Sequence, residues 1–283
     1  MIGAIIGDIV GSRFESSPKY PKLPVEDRNF ELFTSKCRFT DDSVLTCATA
    51  EAFLDSLTDW LIPEFQIYYK KWGNKYKNRG YGGMFKKWLA EPNMTVSNSY
   101  SNGVMMRCSP ISVYYRHNPL RQALSCARES TSYTHNSPES VRGVQSIVSA
   151  IHMAYNGKTK EEIRAFVEEN FGHMLNITVE EARLIPKTSI RCNVTAPQAL
   201  VAFMESTDYE SAIRNAVYIG GDTDTNAAIA GAIAEAFYGF ESIPKHMIDM
   251  MFRIISKEMS GVVLRFYKEC NVLNDEKEQS AIP

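Results

Sequence analysis

Apolar residues in this chain recur at three- and four-residue spacing while period-two alternation is scarce, so the sequence points to an all-α fold. Ile147, Ile151 and Ala154 lie along one face of a helix expected over 139–155, and Ile229, Ile233 and Phe237 along a face of another. Gly239 follows the alanine-rich stretch 226–238, where a left-handed residue would close the helix. A further helix over 199–203 follows Thr195-Ala196-Pro197, read as a cap and a first-turn proline. Near the start, Gly3, Gly7 and Gly11 are spaced by four, which on a helix makes a smooth strip where another backbone approaches closely. The rival is a buried strand over 4–6 entering a nucleotide-binding turn. That reading calls for GxGxxG, which Gly7-Asp8-Ile9-Val10-Gly11 lacks, so helix is favoured.

The 283 residues suffice for one large domain or two small ones. No internal repeat or Pro/Gly/Ser linker marks a boundary, so we expect one domain over 1–273 and a polar tail over 274–283. With 44% hydrophobic and 23% charged residues the composition is that of an ordinary globular protein. A net charge of -2 argues against nucleic acid as the main partner, though not against one basic patch. Cysteines 37, 47, 108, 126, 192 and 270 form no CxxC pair, so neither a zinc ribbon nor a disulfide framework is suggested, and free thiols in a reducing compartment are expected. Glycines and Asp8 interrupt the apolar N-terminus, no cationic leader precedes it, and no apolar run approaches a membrane span. A cytoplasmic monomer is the expectation.

Two acidic turns carry the chemistry. Arg38-Phe39-Thr40-Asp41-Asp42-Ser43 precedes a helical stretch over 44–54, and Gly220-Gly221-Asp222-Thr223-Asp224-Thr225-Asn226 delivers the same residue types to another helix start. Taken alone, the first reads better as a helix cap and the second equally well as one, because Thr and Asp are favoured there. Jointly, four aspartates with several hydroxyls supply only hard oxygen donors, which suits Mg²⁺, Mn²⁺ or Ca²⁺ and fits zinc poorly. If the turns converge, shared carboxylates suit a pair of ions. An EF-hand is excluded, since Asp222-x-Asp224-x-Asn226 is followed by Ala227 where glycine is needed and reaches Ile233 where glutamate is needed. A haloacid-dehalogenase-like phosphatase also uses DxDxT, but at the end of an early strand with a long α/β domain after it. Here position five is Asn226 and only a short helical remainder follows, so that reading stays a remote alternative.

Elsewhere, Ser99-Tyr100-Ser101-Asn102-Gly103 runs into apolar residues and Arg107; its amides and hydroxyls suit phosphate oxygens and Tyr100 suits stacking, while an ordinary turn explains it as well. His135, in Thr134-His135-Asn136-Ser137-Pro138, is a candidate for phosphate binding or for holding its loop. HExxH, GxSxG and Walker sequences are absent. The stretch 60–88 interleaves aromatics with lysines and arginine; single-stranded nucleic acid is one reading, and a helix with an aromatic core face and a solvated lysine face explains it at least as well.

In order, Gly7-Asp8 with Gly11 and Glu15, Thr40-Asp41-Asp42, Arg79-Gly80-Tyr81-Gly82, Asn102-Gly103 with Met106-Arg107, Thr134-His135, and Gly220-Gly221-Asp222-Thr223-Asp224-Thr225 resemble the ADP-ribosylglycohydrolase family over nearly the whole chain. The resemblance implies a single all-α orthogonal helical domain with a binuclear Mg²⁺ or Mn²⁺ centre at the base of a cleft. It implies Thr40, Asp41, Asp42, Asp222, Asp224 and Thr225 as metal ligands and Glu15 as the acidic residue beside the scissile bond. Ser99, Tyr100, Asn102 and Gly103 fall in the loop where the family binds diphosphate and nucleoside, and His135 in another ADP-ribose-contacting loop. Two departures are Ser43, where many relatives have threonine, and 98–101, more polar than in some relatives.

The implied function is metal-dependent removal of ADP-ribose from a modified acceptor, an ADP-ribosylated protein or a small ADP-ribose conjugate. The metals would chelate the 2′ and 3′ hydroxyls of the distal ribose and polarise a water for attack at C1″ through an oxocarbenium-like state, with Glu15 managing protons. Arginine is the first linkage by analogy with bacterial-type relatives; serine, O-acetyl and nucleic-acid linkages stay open. A binding module that recognises ADP-ribose without turnover is the alternative of another class. A structural protein of crystallin type would have lost ligand residues, and all six are present here.

Overall fold

The computed structural model describes residues 1–15, 25–56, 62–93, 96–186, 189–270 and 272. Among them there are α-helices and short 3-10 turns and no named strand, as the periodicity predicts. In chain order the helices are α1 (Ile2–Gly11), α2 (Asp41–Ser56), α3 (Phe65–Lys75), α4 (Gly83–Ala90), α5 (Ser109–Tyr114), α6 (Leu120–Glu129) and α7 (Pro138–Tyr155). They continue as α8 (Lys160–Phe171), α9 (Val179–Leu184), α10 (Cys192–Met204), α11 (Tyr209–Ile219), α12 (Thr223–Tyr238), α13 (Lys245–Ile254) and α14 (Lys257–Glu269).

The pairing of α1 with α12 sets the centre of the molecule. Every residue of α1 is buried, and its glycines lie against α12 backbone. A Cβ built on Gly3 would stand 2.4 Å from the Gly231 carbonyl oxygen, on Gly7 2.1 Å from that of Ala227, and on Gly11 2.4 Å from that of Thr223. The four-residue spacing therefore does what a helix reading requires of it, stacking three contacts on one face over nearly the full length of α1. Packing in the reverse sense is also small, since Gly231 of α12 meets the Gly3 carbonyl. α2, α7, α10 and α11 surround this pair, with Val144, Ile147, Ile151, Leu200, Ile213 and Ile229 in the core.

Local signals account for most boundaries. Ser137 caps α7 through the Ser140 amide, and Thr159 and Thr178 form capping boxes with Glu162 and Glu181. Gly239 closes α12 at φ +88°, as its position after the alanine-rich stretch predicts. One expectation fails. α10 starts at Cys192, so Thr195 is inside the helix, its amide donating to the Arg191 carbonyl at 3.0 Å, and does not cap it. Pro197 then sits past the first turn and removes the bond to the carbonyl of residue 193, which belongs to an exposed residue. The Thr195 hydroxyl, freed from capping, accepts from the Asn102 side chain.

The aromatic and cationic stretch forms α3 and α4, with Phe65, Tyr69, Trp72, Tyr81, Phe85 and Trp88 buried and Lys71 and Lys75 half in solvent. The rings face the core, as the packing reading requires; Trp60 lies outside the described residues. All six cysteines are free. Among the described residues no helix is long and apolar enough to cross a membrane. The tail over 274–283 lies outside the described residues.

Candidate active site

The two acidic turns converge at the end of α1. Thr40 immediately precedes α2, and its amide and hydroxyl donate to the Asp8 carboxylate at 2.9 and 2.6 Å. The Ser43 amide donates to the same carboxylate at 3.1 Å, joined by the Ser43 hydroxyl. Asp42 is buried on the first turn of α2; its Oδ2 lies 3.2 Å from the Thr40 hydroxyl, while its Oδ1 is buried with no partner. Asp41 is half-buried, its amide donating to the Arg79 carbonyl at 2.8 Å. Gly80, at φ +110°, comes so close that a Cβ there would be 2.7 Å from Asp41 Oδ1.

The second turn approaches from α12. Gly220 and Gly221 both have φ near +85°, a left-handed conformation that glycine adopts without strain, and they deliver Asp222 to the N-cap position. Asp222 makes no cap hydrogen bond there. Its Oδ2 accepts instead from the Asn102 amide at 2.7 Å, so the plain capping reading of this turn fails. Asp224 is buried and accepts from the Thr225 amide at 3.0 Å, and the Thr225 hydroxyl lies 3.8 Å from Met106 Sδ. Thr223 ties the turn to α1 by donating to the Gly11 carbonyl at 2.9 Å.

The carboxylates fall into two trios that share Asp224. One oxygen from each of Asp8, Asp42 and Asp224 lies within 4.8 Å of the others, as does one from each of Glu15, Asp222 and Asp224. Among the described residues the one ion pair of this group joins exposed Glu15 to Arg38 at 3.9 Å. Burial, followed by the charge of neighbouring carboxylates, pushes Asp41, Asp42 and Asp224 well above the usual carboxylate range. Asp8 is raised by burial in spite of its four hydrogen bonds, and Glu15 is raised by burial and then by Asp222.

The 3-10 turn at Asn102–Val104 and the residues before it form the adjoining wall. Tyr100 is half exposed, with the Arg191 guanidinium 4.5 Å from its ring centre. Ser99, Asn102 and His135 are buried and engaged. Ser99 Oγ meets Ser101 Oγ at 2.9 Å, Ser101 Oγ meets His135 Nε2 at 3.1 Å, and His135 Nδ1 meets Thr134 Oγ1 at 2.9 Å. Buried Arg107 donates to that Thr134 oxygen at 2.7 Å and packs 3.9 Å from the Tyr69 ring. Burial and the Arg107 charge hold the His135 ring neutral. Gly103 lies beneath this histidine, where a Cβ would be 3.4 Å from Nε2. A cavity of about 1070 Å³, lined by Arg142, Phe171, His173, Pro197 and Gln198 among others, holds none of these carboxylates.

The predicted metal ligands thus lie on the two acidic turns and the predicted substrate residues on the wall beside them or in its buried support, while Glu15 follows α1 and stands beside Asp222 and Asp224. The one that sequence reasoning left without a role is Asp8, noted only as a motif neighbour. Its signal was present: it is the one charged residue of the otherwise apolar α1, and an ionisable group is seldom fully buried unless something holds it there. Asn102, which bridges Thr195 and Asp222, was placed in the substrate loop without that bridge.

The same all-helical fold is found in a solved ADP-ribosylglycohydrolase-related protein complex. That structure superimposes with a TM-score of 0.69 at 23% identity, covering 95% of this chain and 97% of its counterpart, a likeness of fold. The sequence model of the ADP-ribosylglycohydrolase family matches residues 1–275, and the chain belongs to that family. It is a glycohydrolase enzyme. Among curated relatives, human ADP-ribosylhydrolase ARH3 is 25% identical over 87% of this chain and 86% of its own length. The ADP-ribosylarginine hydrolase Tri1 of Pseudomonas putida (strain GB-1) is 26% identical over 88% of this chain and 72% of its own.

Proposed function

We propose that this enzyme removes ADP-ribose from an ADP-ribosylated arginine on protein, using two Mg²⁺ or Mn²⁺ ions. The observation that carries the reading is the pair of carboxylate trios sharing Asp224, which among the described residues have one ion pair, Glu15 with Arg38. The residues fit such ions: the donors are all hard oxygens, and Asp42 Oδ1 is a buried acceptor without a partner. Thr40, Asp41, Asp42, Asp222, Asp224 and Thr225 are the proposed holders. Bound there, the cations would neutralise the carboxylates and supply Lewis-acid polarisation to the ribose hydroxyls and to water. The arginine linkage is supported by the named activity of Tri1.

The protein's own groups divide the remaining work. Tyr100, exposed beside Arg191, offers a ring face to the nucleoside, and the polar turn at 99–103 offers amides to the diphosphate. Buried His135 supports that turn through Ser101. Glu15 is the exposed carboxylate next to Asp222 and Asp224, and its raised affinity for protons suits a base. Water adds to C1″ and gives its proton to Glu15; the C1″–N bond breaks, its electron pair staying with the guanidine nitrogen, which takes the proton. Free ADP-ribose and unmodified arginine result.

The test is a panel of ADP-ribosyl-arginine, ADP-ribosyl-serine, O-acetyl-ADP-ribose and ADP-ribosylated nucleic acid, assayed with Mg²⁺, with Mn²⁺ and with chelator. Fastest release from arginine, lost in chelator, is expected, and Glu15→Gln is expected to keep ADP-ribose affinity while losing turnover. Undiminished hydrolysis in chelator would refute the metal reading, and full activity of Glu15→Gln would refute the role of that residue.

A further inference from the structure

Asp8 stands in one of the carboxylate trios, yet its hydrogen bonds set it apart from the other two members. A carboxylate offers about four lone-pair sites. Both oxygens of Asp8 are engaged, Oδ1 by the Thr40 hydroxyl and Oδ2 by the Thr40 amide, the Ser43 amide and the Ser43 hydroxyl. Asp42 in the same trio has an oxygen with no partner at all. The contrast separates a carboxylate with both oxygens engaged by protein donors from one with an oxygen left open.

The Thr40 hydroxyl shows what this engagement does. Its oxygen is 2.6 Å from Asp8 Oδ1 and 3.2 Å from Asp42 Oδ2, so its proton points to Asp8. The lone pairs of Thr40 Oγ1 are thereby turned away from Asp8, where the Asp42 amide reaches them at 3.3 Å and where a cation would find them. Without Asp8, the nearest acceptor for the Thr40 proton is Asp42 itself. A proton placed on that line would occupy an Asp42 oxygen and misdirect the Thr40 oxygen together.

Asp8 is itself well fixed for this task. It lies between Gly7 and Gly11, whose backbones touch the Ala227 and Thr223 carbonyls of α12, while its carboxylate grips the start of α2. α1 thus holds both acidic turns at one separation.

We propose that Asp8 is a positioning residue and no metal ligand: by taking the Thr40 and Ser43 protons it aims Thr40 Oγ1 and the Asp42 carboxylate at a divalent cation. The proposal rests on the metal reading above and adds a specific order of dependence. Asp8 acts through Thr40 and Ser43, whereas a ligand acts on its own.

Mn²⁺ titration of the chelator-stripped full chain, followed by electron paramagnetic resonance and calorimetry, tests it. Asp8→Asn presents an amide donor to four donors and is expected to weaken Mn²⁺ binding at least tenfold. Thr40→Ala is expected to weaken it as well, and the Asp8→Asn/Thr40→Ala double variant to bind within about twofold of Asp8→Asn alone, because the two share one path. Ser43→Ala, which keeps the Asp8 charge and the Thr40 bonds, is expected to bind several-fold more weakly than wild type and stands in should Asp8→Asn not fold. Losses that multiply in the double variant would mark Asp8 as an independent ligand and overturn the proposal. Wild-type affinity in Asp8→Asn, or in Ser43→Ala where that variant stands in, would overturn it too. A wild-type chain that binds no Mn²⁺ would overturn the metal reading beneath it, and is told apart from these outcomes by the wild-type titration itself.

Discussion

Gly7→Ala isolates the contact that sets the distance between the acidic turns. The added Cβ would lie 2.1 Å from the Ala227 carbonyl oxygen, 2.4 Å from its carbon and 2.7 Å from the Ala228 nitrogen. All three are backbone atoms of α12, so no rotamer change relieves the clash. To reach ordinary contact at 3.4 Å the helices must separate by about 1.3 Å. Overpacking of a dense core costs roughly 1–3 kcal/mol, and a backbone obstacle places this case at the upper end. The gain in helix propensity from glycine to alanine offsets about 1 kcal/mol, leaving a net loss of about 2 kcal/mol. At roughly 2–4 °C per kcal/mol for a chain approaching this size, Tm falls by about 6 °C. Gly261→Ala is the matched control: it lies within α14, and nothing stands within 4 Å of its Cβ. There only the propensity term remains, and stability should rise by up to about 1 kcal/mol. Thermal and urea denaturation of both variants beside wild type decide the matter. A Gly7→Ala protein as stable as wild type would refute the close α1–α12 packing and with it the argument that α1 spaces the site.

Two further expectations follow from the charges. In chelator, Asp42→Asn should melt above wild type, because it removes one of several mutually repelling carboxylates from a buried site, by about 1 kcal/mol; with Mg²⁺ in excess the order should reverse, and a lower melting point in both conditions would contradict the charge argument. His173 is buried by the large cavity, accepts or donates at Ser146 Oγ at 3.0 Å, and has its proton affinity depressed by burial and then by Arg142 to about 4. Because the fold favours the neutral ring, its contribution is full above the unfolded value of 6.5 and is lost as pH falls toward 4. Between pH 7 and pH 5 wild type should lose about 2 kcal/mol more than His173→Gln, read from urea midpoints, and equal losses would remove His173 from the account.

What the sequence made legible follows from which physical signals are local. The Gly3, Gly7, Gly11 spacing identifies a helix with a smooth face, because periodicity is a property of the segment itself. It does not say that α12 lies on that face, since the partner is fixed by contacts more than 200 residues away. Thr195 and Pro197 mislead for a related reason: both are good helix-start residues, but Arg191 and Cys192 begin α10 because the chain there pairs with residues 100–102. His135 was ambiguous between ligand contact and loop support, and only its buried bonds to Ser101 and Thr134 show that it supports.

The acidic turns were the hardest to read, because capping and site-building use the same residues at the same places. What separates them is where the side-chain oxygens go. Thr159, Thr178 and Asp208 spend theirs on the amides of their own helices. Asp222 holds the equivalent position on α12 and spends its oxygen on Asn102, while Thr40, just before α2, gives its proton to Asp8. The start of α12 therefore directs its positive dipole end at the carboxylate group with no cap from Asp222, while at α2 the Thr40 oxygen meets the Asp42 amide and the Asp8 carboxylate accepts from the Ser43 amide. That partial charge is worth a fraction of a unit at each end, far short of balancing several carboxylates. On the metal reading proposed above, the same geometry that sets these turns apart from simple caps would make cation binding part of the stability of the fold.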